Sequence, residues 1–283
     1  MKKVIEENKE KIIGLFGDQI QNSLSPKIHN FLSNVMGLKY HYFLFDLNEK
    51  DLKTAVEGIK VLNIKGVNVT IPYKEKIIKY LDQVDEKVKK IGAVNTVVNE
   101  DGQLKGYNTD VDGFDELAFN KGINFQDKKV IIFGAGGVAR AVLYFLKDRS
   151  TKKITVVNRD LKKANKLKDD FNTIDDLAIH KFGKLDSTTI KDSDIIINAT
   201  PLGTKDKYED ISPVKKENIL ETHTLIDLVY NPRVTKFLKN GNDKEAKTVS
   251  GIEMLVYQGV KAFEIWTDTT VDYHVVNELI NNL

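Results

Sequence analysis

Apolar and polar positions along this chain alternate with a period of two in short runs, and between those runs they take the three-to-four spacing of helices. Val67, Val69 and Ile71 alternate with Asn68 and Thr70, which predicts a half-buried strand over residues 64–71. Pro72 ends it, because proline has no N–H to give to the ladder. Asn68, Thr70 and Lys74 therefore come off the end of a strand, where open α/β sheets hold their ligands. An amide, a hydroxyl and an ammonium there suit a polyhydroxylated substrate and a proton that must move. Asn68 has two open roles, supporting a turn or meeting a ligand.

The same pattern places strands over 12–16 and 40–47 and helices over 51–60, 74–81 and 86–90. Ser25 reads as a helix N-cap with Pro26 at the first helical position, and Gly37 stops that helix after Met36. Ser23 and Ser25 either cap this helix or face a ligand at the sheet edge. Residues 91–98 read as an apolar strand that carries Asn95 and Thr96, and a buried amide there must be paired. Asp101-Gly102 marks a tight hairpin. The returning strand ends at Asn108-Thr109-Asp110, with Asp110 either a cap for a helix over 112–120 or a chemical group.

Strand and helix then alternate afresh, which marks a second domain. A β-branched strand over 129–133 runs into Gly134-Ala135-Gly136-Gly137-Val138-Ala139 and a helix to about Lys147. Gly134 suits the tight turn, Gly136 lets a pyrophosphate approach the backbone, and Ala139 takes the third small position. This is the order of a dinucleotide site. The strand over 154–157 ends in Asn158-Arg159, where Arg159 offers a planar fork for a 2′-phosphate and Lys163 adds charge. Asp160 beside them would repel a phosphate. Strands over 194–198 and 225–229 and the pair Thr248-Val249 follow, then helices over 252–267 and 271–283, the last packing back on the first domain.

Composition narrows the function classes. The chain has 283 residues, enough for two domains. Lys plus Arg number 43 against 41 Asp plus Glu, and this balance gives no reason to expect nucleic acid or an acidic membrane as partner. There is no cysteine, which excludes disulfides, thiolate nucleophiles and thiolate metal sites. The five histidines fall in no metal spacing and read as structural. Residues 1–11 are charged without an apolar core, unlike a signal peptide, and no run approaches the roughly 18 apolar residues of a membrane helix.

Taken together the motifs resemble the shikimate dehydrogenase family, from Ser23 to Gln258. They are Asn22 to Pro26, Asn68 to Glu75, Gly92 to Thr96, Asn108 to Asp110, Gly134 to Ala139, Asn158-Arg159, Asn198 to Gly203, Tyr230-Asn231-Pro232, and Gly251 with Gln258. The resemblance implies an α/β fold with an N-terminal substrate domain, a C-terminal Rossmann-type NADP-binding domain and a cleft between them. The expected bounds are 1–111 with about 253–283 for the first and 112–252 for the second. It implies NADPH-dependent reduction of 3-dehydroshikimate to shikimate, with Lys74 and Asp110 as the catalytic pair. Ser23, Ser25, Thr70, Asn95, Tyr230 and Gln258 match substrate-binding positions, and Asp110 also meets the substrate. Gly134, Ala135, Gly136, Gly137, Val138, Asn158, Arg159 and Lys163 match cofactor-binding positions, with Glu86, Leu228 and Gly251 near the cofactor. It further implies the cofactor NADP(H) and a small-molecule substrate with no metal needed; the absence of cysteine is compatible with a cytoplasmic location, and a homodimer is one admissible assembly that the sequence itself does not decide. Two departures bear on NADP preference: Asp160 stands where a small hydroxyl residue is common, and Lys163 replaces a frequent arginine. The rival readings are a quinate/shikimate dehydrogenase that uses NAD and a silent NADP-binding sensor on the same fold.

Overall fold

The structure is a computed structural model that describes residues 9–283, and within them twelve strands form two six-stranded sheets. The chain divides into two compact units. One comprises the residues up to Gly113 together with Val256–Leu283, the other Phe114–Leu255.

The first unit carries the sheet of order β2-β1-β3-β5-β6-β4. Its strands are β1 (Lys11–Gly17), β2 (Tyr40–Asp46), β3 (Gly66–Val69), β4 (Gln83–Val84), β5 (Thr96–Glu100) and β6 (Gln103–Tyr107). β1 lies parallel to β2 and β3, while β3, β5 and β6 run antiparallel in sequence. Its helices are α1 (Ser25–Val35), α2 (Leu52–Val61) and α3 (Glu86–Ile91). Every residue of β3 is buried. Val67 and Val69 join the core formed with Leu52, Val56 and Ile59 of α2. Alternation turns Asn68 to the other face, where Tyr42 and Trp266 lie in a second core.

Several sequence expectations need correction here. The strand expected over 64–71 is only four residues long, because Thr70 and Tyr73 already form a turn (Tyr73 N–H to Thr70 O, 2.9 Å). No α-helix covers 74–81. Turns are followed by a 3-10 segment, Ile77–Tyr80, because tertiary anchors hold this stretch: the Tyr73 hydroxyl donates to Leu47 O (2.5 Å) and the Lys74 carbonyl accepts Val94 N–H (2.8 Å). Ser25 is not the cap of α1. Leu24 is, without a side-chain bond, and Ser23 Oγ accepts the Ser25 N–H (3.2 Å). The strand expected from 91 begins at Thr96, since Gly92 at φ +70° closes α3. The helix α4 (Asp110–Asn120) starts at Asp110 itself, so Asp110 is its first residue and not a residue before it.

The second unit holds an all-parallel sheet of order β12-β11-β10-β7-β8-β9. Its strands are β7 (Lys129–Phe133), β8 (Lys153–Asn158), β9 (Leu177–Lys181), β10 (Ile195–Asn198), β11 (Thr224–Asp227) and β12 (Lys247–Ser250). Counted from β7, this is the 3-2-1-4-5-6 order of the Rossmann fold, with its reversal between β7 and β10. The central strands, such as β10 with its run of buried isoleucines, are what a sheet covered on both faces requires, while the edge strands β9 and β12 are partly exposed. The helices are α5 (Gly137–Leu146), α6 (Leu161–Asp170), α7 (Ser187–Lys191) and α8 (Lys236–Asn242). Helix α9 (Ile252–Thr267) follows β12, and α10 (Tyr273–Asn282) packs on α1 as expected.

Candidate active site

In the first unit, the open end of the β5–β6 hairpin is where polar side chains collect. Thr96 pairs with Tyr107 at that end, so Asn95 and Asn108–Asp110 meet just beyond the ladder. The Asn95 backbone is held on both sides, its N–H by Tyr107 O (3.0 Å) and its carbonyl by Val69 N–H (2.8 Å). Its side-chain oxygen accepts the Thr109 backbone N–H at 2.7 Å. That donor cannot be exchanged, so the amide nitrogen is fixed on the opposite side, where it donates to Asp110 Oδ1 (2.9 Å). The same nitrogen lies 2.9 Å from Thr109 Oγ1 and 3.3 Å from Gln258 Oε1.

The second carboxylate oxygen of Asp110 takes the ammonium of Lys74 at 2.6 Å. Both side chains are buried, at 10% and 5% exposure, so Lys74 is no solvated surface lysine. Burying a lysine is unfavourable unless its charge is met, and Asp110 meets it. Asp110 is further supported by the first turn of α4, whose dipole favours an anion, and its own N–H donates to Asn108 Oδ1 (3.1 Å).

Ser23 and Ser25 lie together, hydroxyl to hydroxyl at 3.1 Å. The Thr70 N–H still reaches Phe16 O (2.9 Å), which sets Thr70 at the end of β3. Glu86 is exposed at the start of α3, and its carboxylate takes Lys89 at 2.5 Å. Tyr230 belongs to the second unit. Two members of the network were not singled out by the sequence. Tyr42 donates to Asn68 Oδ1 (2.8 Å), and Thr109 orients Asn95. Tyr42 occupies a buried position of the alternating β2 pattern, but no local signal links it to a residue 26 positions away.

In the second unit the glycine loop joins β7 to α5. Gly134 has φ +116°, and a Cβ there would lie 2.7 Å from Ala199 O, so only glycine lets β7 and β10 close up at the reversal of strand order. At Gly136 a Cβ would meet nothing within 4 Å, and no side chain caps α5. Open space before the bare N–H groups of a helix start, with Gly134, Ala135, Gly136, Gly137 and Val138 along it, fits a pyrophosphate. Asn158 ends β8 and its side-chain N–H donates to Asp160 O (2.8 Å). Arg159 and Lys163 are exposed.

A buried carboxylate ties the neighbouring strand ends. Asp227 accepts from Asn198 Nδ2 (2.9 Å), from Val229 N–H (3.0 Å) and from the Thr235 hydroxyl (2.5 Å). Burial pushes its carboxyl up to about 6, and the three hydrogen bonds pull the other way. Leu228 N–H reaches Asn198 O (2.9 Å). Gly251 lies against this turn, since a Cβ there would be 2.8 Å from the Leu228 backbone. Among the described residues no group of three or more His, Asp and Glu side chains could hold a metal ion, and no helix is long and apolar enough to cross a membrane.

Comparison with known proteins gives a consistent result. Residues 15–97 match the shikimate dehydrogenase substrate binding domain, residues 116–254 match shikimate / quinate 5-dehydrogenase, and residues 251–280 match the shikimate 5′-dehydrogenase C-terminal domain. The chain is 43% identical over 262 residues to a shikimate dehydrogenase (NADP(+)) of Clostridium beijerinckii, covering 92% of this chain and 93% of that protein. A crystal structure of shikimate dehydrogenase in complex with NADP+ superposes with a TM-score of 0.86 at 38% identity, over 96% of this chain and 95% of the other. The Thermus thermophilus enzyme, solved with NADP(H) and shikimate, gives 0.84 at 31% identity, over 96% and 99%. With matches that span both units and nearly the whole length, the chain belongs to the shikimate dehydrogenase family.

Proposed function

We propose that this protein catalyses the reversible NADPH-dependent reduction of 3-dehydroshikimate to shikimate, a step towards aromatic amino acids, in the cytoplasm. The observation that carries the reading is the buried Lys74–Asp110 pair at 2.6 Å, with Asn95 on the other carboxylate oxygen. The bound cofactor supplies the hydride to the ketone carbon. As negative charge builds on the ketone oxygen, the Lys74 ammonium stabilises it and delivers the proton, and in the oxidative direction the neutral amine takes the hydroxyl proton back. Asp110 holds Lys74 in place and binds a neighbouring substrate hydroxyl. Ser23, Ser25, Thr70, Asn95, Gln258 and Tyr230 hold the substrate's carboxylate and hydroxyls and so fix the reacting carbon, which is a positioning effect.

Residues 112–252 act as the dinucleotide domain in this reading, and residues 1–111 with 253–283 as the substrate domain. Gly134 to Val138 receive the pyrophosphate on the start of α5. Asn158, Arg159 and Lys163 receive the adenosine ribose and its 2′-phosphate. Leu228, Gly251 and Glu86 are carried over from the family resemblance as the remaining cofactor positions. One assay tests the whole reading. The purified protein is mixed with shikimate or quinate, each with NADP+ or NAD+, and reduced nicotinamide is followed by absorbance. Turnover is expected to be fastest with shikimate and NADP+. Faster quinate turnover with NAD+ would replace this reading with the catabolic one, and no signal in any mixture would leave a cofactor-binding protein without this activity.

A further inference from the structure

Behind the Lys74–Asp110 pair, hydrogen bonds link it to a tyrosine on β2; the amides fix the direction of most, and the Thr96 hydroxyl, 3.4 Å from the Thr109 hydroxyl, has its shorter contact with Asn95 Oδ1 (3.1 Å). Asn68 Nδ2 lies 3.3 Å from the backbone carbonyl of Asn95, which only accepts, so the amide nitrogen of Asn68 faces that way. Its oxygen therefore faces Tyr42, and the Tyr42 hydroxyl donates to it (2.8 Å). Asn68 Nδ2 also donates to Thr96 Oγ1 (3.1 Å). The single Thr96 hydroxyl hydrogen goes on to Asn95 Oδ1 (3.1 Å), whose identity is set by the Thr109 N–H. Asn95 Nδ2 donates to Asp110 Oδ1 (2.9 Å), and Lys74 donates to Asp110 Oδ2 (2.6 Å).

Every joint donates towards Asp110. Tyr42, Asn68, Thr96, Asn95, Asp110 and Lys74 are all buried, so each bond polarises the next in a medium of low dielectric. The head of the relay is packed against a second ring. The Tyr42 ring stacks face to face on His29, with centroids 4.3 Å apart and planes 6° from parallel. His29 adds no charge there, since burial pushes its imidazole down to about 3.

We propose that Tyr42, Asn68 and Thr96 are positioning residues that form a one-way donor relay, locking the Asn95 amide with its nitrogen on Asp110 and so holding the Lys74–Asp110 pair in its working geometry. The inference rests on the catalytic roles given above to Lys74 and Asp110. Loss of the Tyr42 hydroxyl removes the donor to Asn68 Oδ1 and leaves the Asn68 amide held on its nitrogen side alone. A loosened Asn68 donates less well to Thr96, and Asn95 Oδ1 loses the well-aimed Thr96 hydroxyl, leaving the Thr109 N–H (2.7 Å) as its main hold. A less firmly held Asn95 amide weakens its bond to Asp110 Oδ1 and so loosens the Lys74–Asp110 pair.

A serial relay has a kinetic signature that independent packing contacts lack: once it is broken at one joint, breaking a second adds nothing. The test measures kcat for shikimate oxidation with NADP+ in the wild type, Tyr42→Phe, Thr96→Val, the double variant and Thr96→Ser, with circular dichroism to check folding. Each of the first two variants is expected to lose roughly 3–10-fold in kcat, the scale of one neutral hydrogen bond, with the KM for NADP+ little changed. The double variant is expected to equal Thr96→Val, and Thr96→Ser, which keeps the hydroxyl, to recover most of the wild-type rate. Should Thr96→Val fail to fold, Thr96→Ala takes its place in the cycle. Losses that multiply in the double variant, or singles with wild-type kcat, overturn the relay while leaving the proposed reaction intact. A wild-type protein that oxidises no shikimate overturns both.

Discussion

The carboxylate of Asp160 accepts the backbone N–H of Lys162 at 2.9 Å. It accepts that of Lys163 as well, at 3.3 Å, and so serves as the N-cap of α6. The residue that looked from sequence like an obstacle to a 2′-phosphate thus has a local structural task. Its charge still lies beside Arg159, and the two effects separate by substitution. Arg159→Ala is expected to weaken NADP+ binding by roughly 10–100-fold, the scale of a hydrogen bond to a charged group, and to leave NAD+ nearly unchanged. Asp160→Ser retains a capping oxygen and removes the charge, so it should raise the NADP+ to NAD+ affinity ratio. Titration calorimetry with both cofactors reads both. Equal losses for the two cofactors in Arg159→Ala would remove Arg159 from phosphate recognition.

Removing the ammonium tests the proton step. Lys74→Ala is expected to lower kcat by roughly 10²–10⁴-fold, the usual scale for a positioned acid–base group, with a much smaller change in the shikimate KM. Asp110 keeps the Asn95 hydrogen bond and its place at the start of α4, which limits the cost of losing its partner. A variant with near-normal kcat would show that the proton travels by another group.

The architecture was legible where local pattern and tertiary demand agree. The β-branched strand at 129–133, the glycine loop and the apolar helix after it follow from period and glycine placement alone, and they appear as β7, Gly134–Gly136 and α5. The stretch after Pro72 was not legible, because Tyr73 and Lys74 are held by residues 26 and 36 positions away. Helix α6 escaped notice for a different reason. Only Ala164 and Leu167 of its ten residues are buried, so it shows little apolar stripe. The Lys74–Asp110 contact itself was visible only through family resemblance, and the relay behind it joins Tyr42, Asn68 and Thr96 across distances no periodicity spans.

Gly251 offers a test of close backbone approach. A methyl group there would lie 2.8 Å from the Leu228 backbone and the Asp227 carbonyl, atoms that cannot rotate away. Gly251→Ala is expected to lower stability by roughly 1–3 kcal/mol, as overpacking does, and to raise the KM for NADP+ by displacing Leu228. Thermal melting and steady-state kinetics check the two parts, and an unchanged melting temperature would show that the turn yields freely.

Acid should act on the two units with opposite sign. In the first, His29 titrates near 3 when folded against 6.5 as a free side chain, so the unfolded chain binds more protons between those values. Its contribution is present above pH 6.5 and is lost as the pH falls towards 3. That amounts to about 2 kcal/mol between pH 7 and pH 5. In the second unit Asp227 titrates near 6 against 3.8, so its contribution is present below pH 3.8 and is lost as the pH rises through 6. His29→Phe, which keeps an aromatic ring against Tyr42 and removes the titration, is expected to shrink the fall in melting temperature from pH 7 to pH 5. An undiminished fall would place the acid sensitivity elsewhere.

The β5–β6 hairpin turns at Asp101-Gly102, with φ +51° and +89°, at the end of the ladder opposite Asn95 and Asp110. Everything chemical attached to this hairpin is on its stem, and nothing is on its tip. The tip is therefore a port. Extra residues, a short affinity tag or a fluorophore can be inserted between Glu100 and Gln103 while the five-pair stem keeps its register, and such a protein should keep its kinetics unaltered.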